Sequence, residues 1–281
     1  MERIELENGF EIPQIGYGTF QLKPDEAYDN VRQALENGYR LIDTAASYRN
    51  EKAIGQAIRD SGIKREEIVI STKVWVQDAG YEATKKAFGR SLANLQTSYI
   101  DLYLIHQPYG DYYGSWKAME ELYDAGRVKA IGVCNFCAER LLDLTLNARI
   151  PPMIDQVELH PFFQQKRLRA ALPATCRIEA WGPLNEGQRN IFANPVLEYI
   201  AKKHHKTAAQ IVLRWLIEQG IIAIPRSCRS SHQKENIDIF DFALDDEDMQ
   251  EINSLDLGYS EIIDHTDPLT VRILNTYHIH E

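Results

Sequence analysis

The stretch IDLYLIHQPYGDYYGSWKAMEELYDAGRVKAIGVCNF, residues 100–136, holds one complete unit of a repeating plan and so decides the fold. Ile100–His106 and Val128–Asn135 are short runs, apolar at nearly every position. A strand that is apolar on successive residues is covered on both faces, as parallel strands packed between layers are. Between the two runs the punctuation predicts a helix, opened by Ser115 and closed by Gly126. Strand, helix and strand in this order form the unit of an α/β protein.

Outward from this unit the same alternation continues. Further apolar runs lie at Tyr39–Ala45, Ile68–Val74, Met153–His160, Arg177–Leu184, Gly220–Pro225 and Ile237–Phe242, which brings the total to eight. Helical faces separate them: Val31, Ala34 and Leu35; Phe88, Leu92 and Leu95; Ile211, Val212, Trp215 and Leu216, with Gly220 directly behind. Eight alternations predict a (β/α)8 barrel in one domain, residues 1–281, with an open doubly wound sheet as the competing arrangement. Ile4 to Gln14 reads as a β-hairpin with Asn8-Gly9 at its turn, covering one end of the barrel. Gly16-Tyr17-Gly18 is assigned to that hairpin and lacks the third glycine of a dinucleotide fingerprint. Residues after Gly258 show no period and are expected to fold as a tail over the barrel mouth, and the helix after Gln165 is expected to be cut short by Pro173.

Composition narrows the function. With 44% hydrophobic residues in 281, the chain can bury a core, which excludes intrinsic disorder and a small disulfide-stapled scaffold. The formal charge of −10 repels nucleic acid and anionic membrane, so neither is expected as a partner. No run reaches the length of a membrane span, and the first residues carry no export signal. The four cysteines, Cys134, Cys137, Cys176 and Cys228, are too few for a disulfide framework. A cytoplasmic monomer is the expectation.

In a barrel of this kind the chemistry gathers where the strands end. The first run ends in Asp43 with Tyr48 just beyond, the second at Lys73, the third at His106 and the fourth at Asn135. The fifth contains Gln156 and Glu158, the sixth Trp181, and the seventh stops at Arg226-Ser227. An Asp or Asn behind a strand can be only a helix cap, and a lone His only a structural residue. Lys73 resists that reading, because a lysine closing an apolar run needs a counter-ion, for which Asp43 is placed. Tyr48 then becomes a general acid whose pKa the ammonium would lower, with His106 aligning a substrate oxygen. Such a set suits reduction of a carbonyl.

These residues sit in blocks that resemble the aldo-keto reductase superfamily, and most closely its microbial diketogluconate reductase branch: GYGTFQL (16–22), LIDTAASYRNE (41–51), STKVW (71–75), LIHQP (104–108), GVCNF (132–136), DQVELHPF (155–162), AWGPL (180–184), IPRS (224–227) and ENIDIFDFALDDEDM (235–249). The resemblance implies a catalytic tetrad of Asp43, Tyr48, Lys73 and His106 and an NADPH extended across the mouth. Asn135 and Gln156 would hold the carboxamide and Trp181 would stack on the nicotinamide. Thr19 and Phe20 would line the first loop, with Gly182 and Leu184 along the pyrophosphate path. Arg226, Ser227, Cys228 and Arg229 would surround the 2′-phosphate, and Glu235 and Asn236 the adenine. The substrate wall would comprise Phe20, Tyr48, Trp75, His106, Gln107, the stretch Tyr109 to Trp116, and the tail.

The departures from the pattern concern both ends of the site. Cys134 and Gly182 stand where the family commonly has serine, and Arg226 where lysine is common. His232 stands where an arginine usually meets the 2′-phosphate, which weakens the discrimination against NADH and leaves it as a weaker cofactor. Gln107 replaces a common tryptophan and favours polar carbonyls such as keto sugars or dicarbonyls. Two other readings remain open from the residues: a cofactor-sensing regulatory barrel with slow turnover, and a metal-dependent hydrolase or lyase using Asp43 and His106. Cys134-x-x-Cys137 is read as incidental, His204-His205 as a solvated helix end and His160 as structural.

Overall fold

The computed structural model describes residues 2–281. A hairpin of β1 (Arg3–Glu5) and β2 (Glu11–Pro13) precedes eight parallel strands. These are β3 (Tyr17–Gly18), β4 (Leu41–Asp43), β5 (Val69–Val74), β6 (Ile100–Ile105), β7 (Val128–Cys134), β8 (Ile154–Glu158), β9 (Arg177–Trp181) and β10 (Ile222–Ala223), neighbours in chain order. Backbone bonds from Gly16 to Ala223 (2.8 Å), Ala223 to Gln14 (2.8 Å) and Gly18 to Pro225 (3.1 Å) tie the last strand to the first. The sheet closes as a (β/α)8 barrel.

The number of strands agrees with the sequence, but their membership does not. Ile237–Phe242 forms no strand: it is the end of a helix and an irregular segment whose Ile239 is buried in the outer layer. The missing strand is Tyr17–Gly18, not part of the hairpin after all. A Cβ on Gly16 would lie 2.6 Å from Leu41, and one on Gly18 2.8 Å from the Ile224 carbonyl. Close backbone approach therefore demands glycine here, and glycine removes the apolar pattern by which a strand is recognised.

Around the barrel run α1 (Pro24–Glu36), α2 (Glu51–Asp60), α3 (Tyr81–Leu95), α4 (Tyr112–Asp124), α5 (Ala138–Asn147) and α6 (Lys166–Ala171). α7 (Pro195–His204) and α8 (Ala208–Glu218) fill the β9–β10 crossover, and α9 (Ser230–Ile237), α10 (Asp246–Asn253) and α11 (Pro268–Thr276) follow. α6 has only six residues, as Pro173 leads one to expect. α4 starts earlier than expected. Asp111 caps it by accepting from Gly114 N at 2.8 Å, whereas Ser115 lies inside and accepts from Gly80 N at 2.8 Å, joining α4 to the start of α3. The tail, read as aperiodic, carries the nine-residue α11.

The period of two sorts each strand into an outer and an inner face. Leu41, Val69, Leu102, Leu104, Ala130, Ile154 and Ile222 form the inner core, floored by Leu6 and Ile12 of the hairpin region. Continuing the same faces towards the strand ends brings Asp43 above Leu41, Lys73 above Val69, Gln156 above Ile154 and Glu179 above Arg177. A polar layer thus rests on an apolar plug, at the end where the strands stop.

Candidate active site

Lys73 is fully buried, and its ammonium donates to Asp43 Oδ1 (2.7 Å), Asp43 Oδ2 (2.8 Å) and the Thr44 carbonyl (2.8 Å). An ammonium has three donors, so all are engaged. Burial works against the charge, but the Asp43 carboxylate outweighs it and holds the lysine pKa above its ordinary value. The ion pair expected from the sequence is present, and both of its side chains are buried.

Tyr48 ends a 3-10 turn, Ala46–Tyr48, that follows β4 after two residues, and its ring centroid lies 5.1 Å from Lys73 Nζ. Burial pushes the phenol pKa up; the Lys73 ammonium pulls it down and is outweighed. This corrects the expected net lowering, because removing a phenolate from water costs more here than one neighbouring cation returns. The phenol is consequently a firmly protonated donor at neutral pH. His106, behind β6, is held well below the ordinary imidazole pKa by burial, with Lys73 and His265 adding to the effect. It is a neutral ring, 3.2 Å from Ser47 Oγ through Nδ1 and edge-on to Tyr48 and Trp75.

Asn135 adopts a left-handed conformation (φ 63°) at the exit of β7. It donates to the His106 carbonyl (3.1 Å) and accepts from Trp181 Nε1 (2.8 Å), so three strand exits are linked by one side chain. Gln156 Nε2 donates to Asp43 Oδ2 (2.9 Å). Thr19 is buried and its hydroxyl donates to the Asp43 carbonyl (2.8 Å), which turns it inward. Phe20, 51% exposed, lies 5.1 Å from the Tyr48 ring. Gly182 turns the chain with φ 56°, and Leu184 beyond it is half-buried.

A second group occupies the loop after β10 and the start of α9. Arg226, Cys228, Arg229 and His232 are exposed there, and the Ser227 carbonyl accepts from Tyr17 (2.8 Å) and Gln233 (3.0 Å). Glu235 accepts from Thr207 Oγ1 (2.6 Å), and Asn236 is buried against Tyr39. Exposed guanidinium groups at one rim and half-exposed aromatic rings beside the tyrosine match the two ends of a phosphorylated dinucleotide in chemistry.

On the opposite side the tail closes in. Trp75 Nε1 donates to the Tyr277 carbonyl (2.7 Å), Tyr109 to the His265 carbonyl (2.8 Å) and Arg49 to the His278 carbonyl (2.8 Å). Val271, Leu274 and Ile279 pack on Trp75 and Tyr109. Gln107 is buried with no partner for its Oε1. Trp116 does not belong to this wall: it is buried in the outer layer with Nε1 bound to the Ile150 carbonyl.

Other motifs fall outside the site. Cys134 is buried inside the barrel while Cys137 is exposed at the cap of α5, and neither is in a disulfide. His160 faces Glu158 at 3.0 Å in a buried pair, a structural place. His204 is not simply solvated, since it meets the buried Asp248 at 2.6 Å. Sequence reasoning missed Glu179, Ser47 and Asn50. The last is buried and ties Thr19 and Leu22 carbonyls to Thr44. For Glu179 a signal existed: it interrupts an apolar run on the same face as Trp181.

A profile described as the aldo/keto reductase family matches residues 14–257. The chain belongs to the aldo/keto reductase family. It is 47% identical over 257 residues to the glyoxal reductase of Bacillus subtilis, covering 90% of this chain and 92% of that protein. It superposes on an aldo-keto reductase from a Medee basin deep-sea metagenome library with a TM-score of 0.91 at 46% identity, over 94% of this chain and 98% of that one. A Bombyx mori aldo-keto reductase in complex with NADP gives a TM-score of 0.88 at 34% identity, over 94% and 95% of the two chains. With family and fold in agreement, this aldo/keto reductase is an oxidoreductase.

Proposed function

We propose that this aldo/keto reductase reduces aldehydes, dicarbonyls and compact ketones to alcohols with NADPH, with Tyr48 as the acid. The observation that carries the reading is the Tyr48 ring lying 5.1 Å from a buried ammonium whose own donors are all engaged by Asp43 and Thr44. Lys73 therefore acts through its charge and is not itself the proton donor. As a carbonyl oxygen gains negative charge, Tyr48 gives it a proton, and the ammonium steadies the phenolate left behind. Neutral His106 orients that oxygen by a hydrogen bond without competing as an acid. When bound, NADPH supplies the hydride that the carbonyl carbon receives.

Asn135, Gln156 and Trp181 hold the reactive end of the cofactor, and Arg226 with Arg229 its far phosphate. The NADP complex of the Bombyx mori relative supports this cofactor. Gln107, a polar amide beside His106, supports polar carbonyls among the substrates. The name of the Bacillus subtilis relative supports small dicarbonyls among the substrates. The regulatory alternative draws no support from an intact set of Asp43, Tyr48, Lys73 and His106. The metal reading requires Asp43 to leave an ammonium bound to both of its oxygens. The four free cysteines support a cytoplasmic setting, and we take the working unit to be a monomer of one domain.

Tyr48→Phe tests the assignment. Turnover of glyoxal should fall by about 10²- to 10⁴-fold while NADPH binding, followed by fluorescence, stays close to wild type. Turnover near the wild-type rate would remove Tyr48 from the mechanism.

A further inference from the structure

Beneath the tetrad, Glu179 occupies the middle of β9 and is fully buried. Its Oε2 accepts from Gln156 Nε2 at 2.8 Å, and the same nitrogen donates to Asp43 Oδ2 at 2.9 Å. Its Oε1 has no hydrogen-bond partner. Two carboxyl groups therefore share one amide. The titratable groups facing Glu179 are Asp43 from β4, Lys73 from β5 and Cys134 from β7, while Gln156 of β8 and Ile222 of β10 flank it in the sheet. Among the described residues, Lys73 is the cation of this set, and it is bonded to Asp43.

Two consequences follow from this arrangement. Both hydrogens of the Gln156 amide point at carboxyl oxygens, which leaves Gln156 Oε1 as the atom that can accept from a cofactor carboxamide. Second, one buried ammonium balances one carboxylate, so a second carboxylate here would be an uncompensated charge. Burial and the charge of Asp43 push the Glu179 carboxyl up to about 8.

We propose that Glu179 is a positioning residue for this active site: neutral, it fixes the Gln156 amide and leaves Asp43 the sole partner of Lys73; ionised, it weakens reduction by adding a negative charge below Lys73 and Tyr48. The added charge holds the phenol proton more tightly, so the acid becomes poorer. This inference rests on the reading of Tyr48 as the acid.

The test compares wild type with Glu179→Gln, which is permanently neutral and can still accept from Gln156. Glyoxal reduction is followed with saturating NADPH from pH 6.5 to 9.5, each protein scaled to its own value at pH 6.5. The wild-type kcat should fall through pH 8 and be down by roughly tenfold near pH 9, as one titrating group requires, while the variant falls less. A second measurement needs no activity. A carboxyl whose folded pKa is raised stabilises the fold fully below its unfolded pKa, and that stability is lost as pH rises towards the folded value. Urea unfolding should therefore show wild type losing stability relative to Glu179→Gln between about pH 5 and 8.

Glu179→Leu separates charge from anchoring. It should also lose the alkaline limb, but its NADPH Kd should rise several-fold because the Gln156 amide is released. An alkaline limb and a stability slope unchanged in Glu179→Gln would overturn the proposal. A stability slope removed by Glu179→Gln, with Tyr48→Phe still turning over, would instead overturn the reading of Tyr48 while leaving Glu179 a buried neutral acid.

Discussion

The two ends of the proposed cofactor site are built by opposite means. At the inner end Lys73 is 0% exposed and its charge is fixed by Asp43 at 2.7 Å. At the outer end Arg226 and Arg229 are exposed on a loop. A buried charge must be compensated by the protein itself, whereas an exposed one can wait for its ligand, screened by water and salt. Changes at the inner end should therefore affect folding and chemistry together, and changes at the outer end only affinity and cofactor choice.

The strongest way to break this contrast is Lys73→Met. It leaves Asp43 buried without its cation, and removal of one partner of a buried pair costs about 3–5 kcal/mol. We expect a clear loss in urea unfolding stability and, with no ammonium beside Tyr48, loss of nearly all turnover. A stable and inactive variant would show that water reaches Asp43. Next comes Tyr48→Phe, which should abolish most turnover with little effect on unfolding, because the phenol oxygen compensates no buried charge. If it proved as destabilising as Lys73→Met, the tyrosine would belong to the structural ion cluster and not to the chemistry alone.

The same contrast explains what could be read from the sequence. Asp43, Lys73 and His106 were legible because each ends an apolar run, where a polar residue without a purpose would be costly. The barrel was legible for the same reason, through runs that need cover on both faces. Tyr17–Gly18 was not, since Gly16 against Leu41 and Gly18 against the Ile224 carbonyl leave no room for a Cβ on either side of Tyr17. Ile237–Phe242 gave a false signal, as Ile239 and Phe242 are apolar because they pack on the outer layer and not because they pair. Glu179 escaped because it stands in mid-run: its spacing from Trp181 marks its face, but only the geometry reveals that it meets the Gln156 amide. The direction of the Tyr48 shift was missed because the sequence reveals the cation but not the depth of burial.

Among exposed residues, Arg226→Ala should have the larger effect. Loss of a charge-assisted contact to the 2′-phosphate should raise the NADPH Kd by about 10- to 100-fold. NADH, which lacks that phosphate, should bind as before, and kcat at saturation should be little changed. A comparable loss for NADH would mean that Arg226 shapes the loop, for which the Ser227 carbonyl, held by Tyr17 and Gln233, is the structural alternative.

The smallest effect, and the one that sharpens the comparison most, belongs to His232. It is exposed in the first turn of α9, close in sequence to Arg229, the residue that precedes the helix. His232→Arg adds a permanent cation to the rim of a chain whose net charge is −10. NADPH binding should tighten by roughly 1.5- to fivefold at low salt, within the range of exposed ion pairs, and the gain should shrink as salt is raised. Binding of NADH should not follow, and urea unfolding of the free enzyme should stay as it was. A gain that persists at high salt would mean that the guanidinium is partly enclosed by its ligand. The outer end would then work as the inner end does, by geometry and not by field.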